Sequence, residues 1–238
     1  MLTRTIGRYL SWPIGKLASI IAATGVPPNI ITWSGLILNL WASVFFATGR
    51  FAAAAGLMIL AGACDLLDGP VARKQNRVSK FGGFLESIVD RYADLMLFLG
   101  LLVYFVRVNR FSYAIVTGVA MAGAVMVAYA KARAASLVPV EDVGFWDRPE
   151  RLVLLIVAGL VNQMGLALWI LAIGPNITVI HRIVHTWSQT EGSRRKAKAT
   201  EETSVDTRKA TPMHLTARLS NDPPPEGRAL TRSAGRGS

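Results

Sequence analysis

The sequence predicts an all-α integral membrane protein: six transmembrane helices, an amphipathic interfacial helix before them and a disordered tail after them. Three observations carry this. Apolar residues make up 52% of the chain and the mean hydropathy is +0.38, too high for an ordinary soluble domain. The apolar residues fall into runs long enough to cross a bilayer core, which takes about 20 helical residues. Lys and Arg gather in the short segments between those runs and in the last fifty residues, as membrane topology requires. The net charge of +11 therefore points to anionic lipid rather than to nucleic acid. Cys64 is the single cysteine, which excludes an intramolecular disulfide and a cysteine metal cluster.

Residues 1–26 carry Arg4, Arg8 and Lys16 among apolar residues, and LASIIAATGV resembles the hydrophobic region of a signal peptide. Pro13, and Leu10, Ile14, Leu17 and Ile21 at steps of three and four, favour an amphipathic helix in the membrane interface. Pro27-Pro28 ends it and starts the next helix. Residues 29–48 are the first span, and residues 51–64 open a second that stays helical to about Arg73. The third runs from near Phe81 to Val106, and the fourth from Phe111 to Ala130. Ala120, Ala124 and Ala128 on the fourth let a neighbouring helix approach closely.

Residues 151–188 read as one long helix or as two spans joined at VNQMG, and the basic residues favour two. With six spans, Arg4, Arg8, Lys16, Arg73, Lys74, Arg77, Lys80, Lys131, Arg133, Arg148, Arg151 and Arg182 share one face; Arg50, Arg107 and Arg110 take the other. That bias predicts a multi-pass protein of the cell (inner) membrane with both termini and the acidic stretch on the cytoplasmic side. Residues 27–188 thus form the membrane domain. Residues 189–238, with RRKAK, EET and PPP, read as a disordered basic tail.

The acidic stretch is Asp65 to Asp94, DLLDGPVARKQNRVSKFGGFLESIVDRYAD. Charges at membrane depth are costly and usually functional. Helical spacing of three and four puts Asp65 and Asp68 on one face of span two, and Glu86, Asp90 and Asp94 in a stripe along span three. Two antiparallel spans bring these faces together as a carboxylate cage. Like charges so close need cations, and hard divalent ions with oxygen ligands suit them. Two such ions can clamp a diphosphate. Gly69 leaves room for a ligand, and Arg73 can reach a phosphate.

The spacing Asp65-x2-Asp68-Gly69-x2-Ala72-Arg73-x8-Gly82-x3-Glu86-x3-Asp90 resembles the signature of the CDP-alcohol phosphatidyltransferases, D-x2-D-G-x2-A-R-x8-G-x3-D-x3-D. Seven of its eight fixed positions match. The resemblance covers roughly residues 1–188 and implies transfer from a CDP-linked lipid to an alcohol, with release of CMP. It implies Asp65, Asp68, Glu86 and Asp90 as ligands of two Mg2+ or Mn2+ ions, with Asp90 also the base for the attacking hydroxyl. Gly69, Arg73 and Ser79 fall at positions that hold the CDP-alcohol, and Asn29 and Thr32 in PNIIT match an element near the cytidine. Glu86 departs from the pattern, since the family has Asp there.

Lys131, Arg133, Arg148, Arg151 and Arg182 can line a second anion site, although each alone also reads as an interfacial charge. AYAKARA, GFWDRPERLVLL, ITVIHR and DRYAD resemble the branch that makes phosphatidylinositol phosphate and archaetidylinositol phosphate. That branch implies a phosphorylated inositol held by Lys131, Arg133 and Arg182, with glycerol phosphate as the alternative acceptor. The resemblance and the small-residue face of span four are compatible with a homodimer. Two other readings compete: a cation transporter, which gives Gly69, Ala72, Arg73 and Gly82 no role, and a weakened relative serving as a scaffold, motivated by Glu86.

Overall fold

The apolar runs fold as helices and the polar breaks between them as tight turns. The computed structural model describes residues 14–138 and 144–210. Seven helices and no strand lie among the described residues: α1 Ile14–Ala23, α2 Pro28–Ala47, α3 Phe51–Lys74, α4 Lys80–Arg107, α5 Phe111–Ala134, α6 Arg148–Leu160 and α7 Met164–Ala210.

Four of the helix ends share one chemistry. Helices α2, α3, α4 and α6 stop where Gly49, Asn76, Asn109 and Asn162 take a positive φ, of 78°, 54°, 57° and 57°. Glycine and asparagine tolerate this conformation best. The following N–H then folds back onto the helix, as in Arg77 N–H to the Ala72 carbonyl at 2.9 Å and Gln163 N–H to the Ala158 carbonyl at 2.9 Å. These returns satisfy carbonyls that a helix end leaves unpaired, and they reverse the chain within a few residues. Residues 151–188 accordingly form two helices, and the break falls at Val161–Gln163, within VNQMG.

Helix α2 packs on α3 and α4, α4 on α5, and α3 on α6. The core between them holds Phe46, Met58, Leu97, Phe98, Leu101, Leu155, Leu168 and Leu171. Small residues set the closest approaches. Gly100 lies against the Ser43 backbone, and Gly159 lies against the Phe51 carbonyl. Pro175 interrupts the hydrogen bonding of α7, and Asn176 Nδ2 donates to the Ala172 and Val119 carbonyls beside it.

Of these helices, four are long and apolar enough to cross a membrane: α2, α3, α5 and the Met164–Gly192 part of α7. The six expected spans are therefore reduced to four by this measure, for two physical reasons. Helix α4 has the length, at 28 residues, but Asp90, Arg91 and Asp94 put three charges in its apolar stretch. Helix α6 has only 13 residues, about 20 Å of rise.

Helix α1 lies against the end of α3. Its buried Ala18 meets Ile31, Leu67 and Val71. Lys74 Nζ reaches Ser19 Oγ at 2.6 Å, and Gln75 Nε2 donates to the Val26 carbonyl at 3.0 Å. Arg4 and Arg8 lie outside the described residues.

The helical unit ends at Gln189, and a second unit begins at Thr190. Helix α7 runs on to Ala210, so residues 190–210 are helical where the tail composition predicts disorder. The physical reason is that Ala, Glu, Lys and Arg are good helix formers and no Gly or Pro follows Gly192 until Pro212. The remainder of the expected tail, residues 211–238, lies outside the described residues.

Candidate active site

Helices α2, α3 and α4 converge on a cavity of about 240 Å³. Asn29, Thr32, Gly69, Arg73 and Ser79, the five residues expected to hold a CDP-alcohol, all line it, together with Asp68, Arg77, Gly82 and Glu86. Each is positioned by a local rule. Pro28 starts α2 and so places Asn29 and Thr32 in its first turn and a half. Ser79 caps α4, its Oγ accepting from Gly82 N–H at 2.9 Å. A Cβ on Gly82 would come within 3.1 Å of that oxygen.

Asp68 is held on both oxygens. Its Oδ2 accepts from Thr32 Oγ1 at 2.9 Å, and its Oδ1 accepts from Gly69 N–H at 2.6 Å. The side chain is buried, and these bonds orient it into the cavity wall. Glu86 is exposed on the same cavity, and no hydrogen bond or ion pair ties it to another described residue. Asp65 approaches α2, where a Cβ on Gly35 would meet its Oδ1 at 3.1 Å.

Asp65, Asp90 and Asp94 are gathered around Arg148, the first residue of α6. Its Nη1 lies 2.7 Å from Asp65 Oδ2 and 2.9 Å from Asp90 Oδ1, and its Nε lies 3.3 Å from Asp94 Oδ1. The other oxygen of Asp94 accepts from Arg151 Nη2 at 2.6 Å, and both partners are buried. Arg151 also donates to the Trp146 carbonyl. The sequence offers no signal for the Arg148 contact beyond an excess of acidic groups that needs cations.

Among the described residues no three His, Cys, Asp or Glu side chains form a ready-made ligand group. A guanidinium stands among the carboxylates instead. The donor set nonetheless fits a hard divalent cation. Its members are carboxylates, and oxygens from α3 and α4 already converge on one positively charged nitrogen.

The basic cluster expected at the acceptor forms in part. Lys131 Nζ lies 3.1 Å from Asp147 Oδ2, and Arg182 Nη2 lies 2.8 Å from Asp147 Oδ1. Arg182 is buried and also donates to the Val127 carbonyl at 2.6 Å. Burial pushes the Asp147 carboxyl up, but the bonds from Arg182 and Lys131 outweigh it and hold the group below the usual carboxylate range. Arg133 does not join them. Two residues from Lys131 is about 200° around a helix, so Arg133 points away and donates to Ser136. Asp147 is a site residue that spacing alone does not single out, although its place beside Arg148 in DRPER is legible.

Residues 26–185 match the family model described as CDP-alcohol phosphatidyltransferase. The archaetidylinositol phosphate synthase of Pyrococcus horikoshii is 33% identical over 175 residues, which cover 72% of this chain and 89% of that protein. Among solved structures, the phosphatidylinositol phosphate synthase of Mycobacterium tuberculosis with CDP-DAG bound superposes with a TM-score of 0.68 at 26% identity. That match covers 73% of this chain and 93% of the other. The same enzyme in complex with manganese and citrate superposes with a TM-score of 0.66 at 26% identity, covering 73% and 88%.

Proposed function

The chain belongs to the CDP-alcohol phosphatidyltransferase family and is an enzyme of that type, and on that premise we propose that its acceptor is a phosphorylated polyol such as inositol phosphate. The donor is a CDP-linked lipid, and CMP is the leaving group. The observation that carries this reading is the single cavity where Asn29, Thr32, Gly69, Arg73 and Ser79 meet Asp68 and Glu86. It is lined by two arginines that suit a diphosphate, Arg73 and Arg77, and by two of the signature's four carboxylates, Asp68 and Glu86.

Asp65, Asp68, Glu86 and Asp90 would hold a divalent cation, two ions in our reading, and when bound these neutralise the charge of the diphosphate. The chain's own residues do the rest. Arg73 and Arg77 face the phosphates, Asn29 and Thr32 lie where the nucleoside enters, and Thr32 fixes Asp68. Asp90 takes the proton from the attacking hydroxyl. Lys131 and Arg182 receive the acceptor's phosphate, and their shared partner Asp147 is one residue along the chain from the Arg148 that touches Asp90. Two relatives support this acceptor, since one is named for archaetidylinositol phosphate and the other for phosphatidylinositol phosphate.

In our reading α2 to α7 make six crossings, with α4 and α6 completing the four apolar spans, α1 at the interface and the cavity facing the cytoplasm. The excess of Lys and Arg on that face supports the orientation. CMP release from CDP-diacylglycerol, measured with inositol phosphate, inositol and glycerol phosphate in turn, tests the acceptor. Preference for free inositol would overturn a phosphorylated acceptor, and preference for glycerol phosphate would overturn inositol phosphate as that acceptor.

Glu86 gives a separate prediction. Its carboxylate is unrestrained and can reach the cavity despite the extra methylene, so the unmodified chain turns over robustly and Glu86→Asp changes kcat by less than about tenfold. Glu86→Ala costs about 100-fold or more, as loss of a charge-bearing ligand should. Turnover appearing only in Glu86→Asp would instead support the scaffold reading.

A further inference from the structure

Asp147 stands at the N-cap of α6, a position where an aspartate ordinarily accepts from the N–H groups of the first helical turn. Here it makes no such bond. Its carboxylate turns outward, one oxygen 3.1 Å from Lys131 Nζ and the other 2.8 Å from Arg182 Nη2. Both oxygens are thus committed to cations on two different helices, α5 and α7, while the cap is left unmade. The first turn of α6 gains no side-chain hydrogen bond from this arrangement. The neighbouring backbone holds it in place: Gly144 lies against Thr178 and Arg182 with φ of 112°, and Trp146 packs on Gly174.

We propose that Asp147 is a specificity-determining residue that occupies the anion position on Lys131 and Arg182, so that only an acceptor phosphate strong enough to compete with a carboxylate is admitted. This rests on the reading that Lys131 and Arg182 receive the acceptor's phosphate. The physical basis is charge. A phosphate brings nearly two negative charges and three acceptor oxygens where the carboxylate brings one charge and two oxygens, so it can displace or share the pair. A neutral alcohol brings neither and leaves the Asp147 contacts closed.

The test uses the full chain in lipid bilayers and two neutral variants, Asp147→Asn and Asp147→Ser. Both retain a side chain able to cap α6, so one remains informative where the other folds poorly. In both, the KM for inositol phosphate falls about tenfold, and inhibition by inorganic phosphate tightens by a similar factor. The KM for CDP-diacylglycerol and the kcat stay within about twofold, and Asp147→Glu resembles the unmodified chain. An unchanged or raised KM for inositol phosphate in a folded neutral variant overturns the proposal, because it assigns Asp147 a strut's role only. Lys131→Gln and Arg182→Gln separate the two levels. If both leave the KM for inositol phosphate unchanged, the acceptor site itself is misplaced. If they raise it while Asp147→Asn does not lower it, only the proposal on Asp147 fails.

Discussion

Asp90→Asn lowers CMP release by about 10³-fold with the helical fold intact. The asparagine keeps the shape of the side chain but can neither take a proton nor contribute a negative ligand, and general-base contributions are about 10² to 10⁴-fold on their own. Folding survives because Arg148 retains Asp65 and Asp94 as partners. The measurement is CMP release by purified protein in bilayers, with thermal unfolding followed in parallel. Turnover within tenfold of the unmodified chain, at equal stability, would remove Asp90 from the base position.

Arg151→Met has the largest expected effect on stability. It leaves one oxygen of the buried Asp94 without its 2.6 Å partner, in a core where water is scarce. Breaking a buried ion pair from one side costs about 3 to 5 kcal/mol, most of it from the charge left behind. Arg148 Nε, at 3.3 Å from the other oxygen, places the effect near the lower end. Adding Asp94→Asn to Arg151→Met recovers part of the loss, because it removes the stranded charge. A double-mutant cycle on unfolding free energies measures this, and strict additivity of the two changes would refute the coupling.

The parts of the site legible in the sequence are those encoded by local spacing. Asp65 and Asp68, or Glu86 and Asp90, share a face because a helix repeats every 3.6 residues, and Pro28, Ser79 and Gly82 announce their helix starts and close contacts. The same rule applied to Lys131 and Arg133 would have separated them, since two residues apart is the opposite side of α5. Arg148 could not be placed from spacing. It meets Asp65 across 83 positions of chain, a pairing that depends on where α6 docks on α3. The end of the helical region was also obscured, because RRKAKATEET has the charge of a solvated tail and the helix propensity of an exposed helix. The length of α6 was set by Asn162, whose left-handed turn ends the helix inside an otherwise apolar run.

That short sixth helix has a kinetic consequence. Asp65 lies nine residues before the end of α3 and Asp90 ten residues after the start of α4, so Arg148 reaches them about 14 Å below those helix ends. In the membrane placement and with the acceptor proposed above, a dissolved acceptor descends to that level from bulk water, while a lipid-bound donor arrives sideways from within its leaflet. The two substrates are therefore counted in different dimensions. The acceptor is governed by its molarity in solution and the donor by its mole fraction in the bilayer, so adding inert lipid starves one half of the reaction without touching the other.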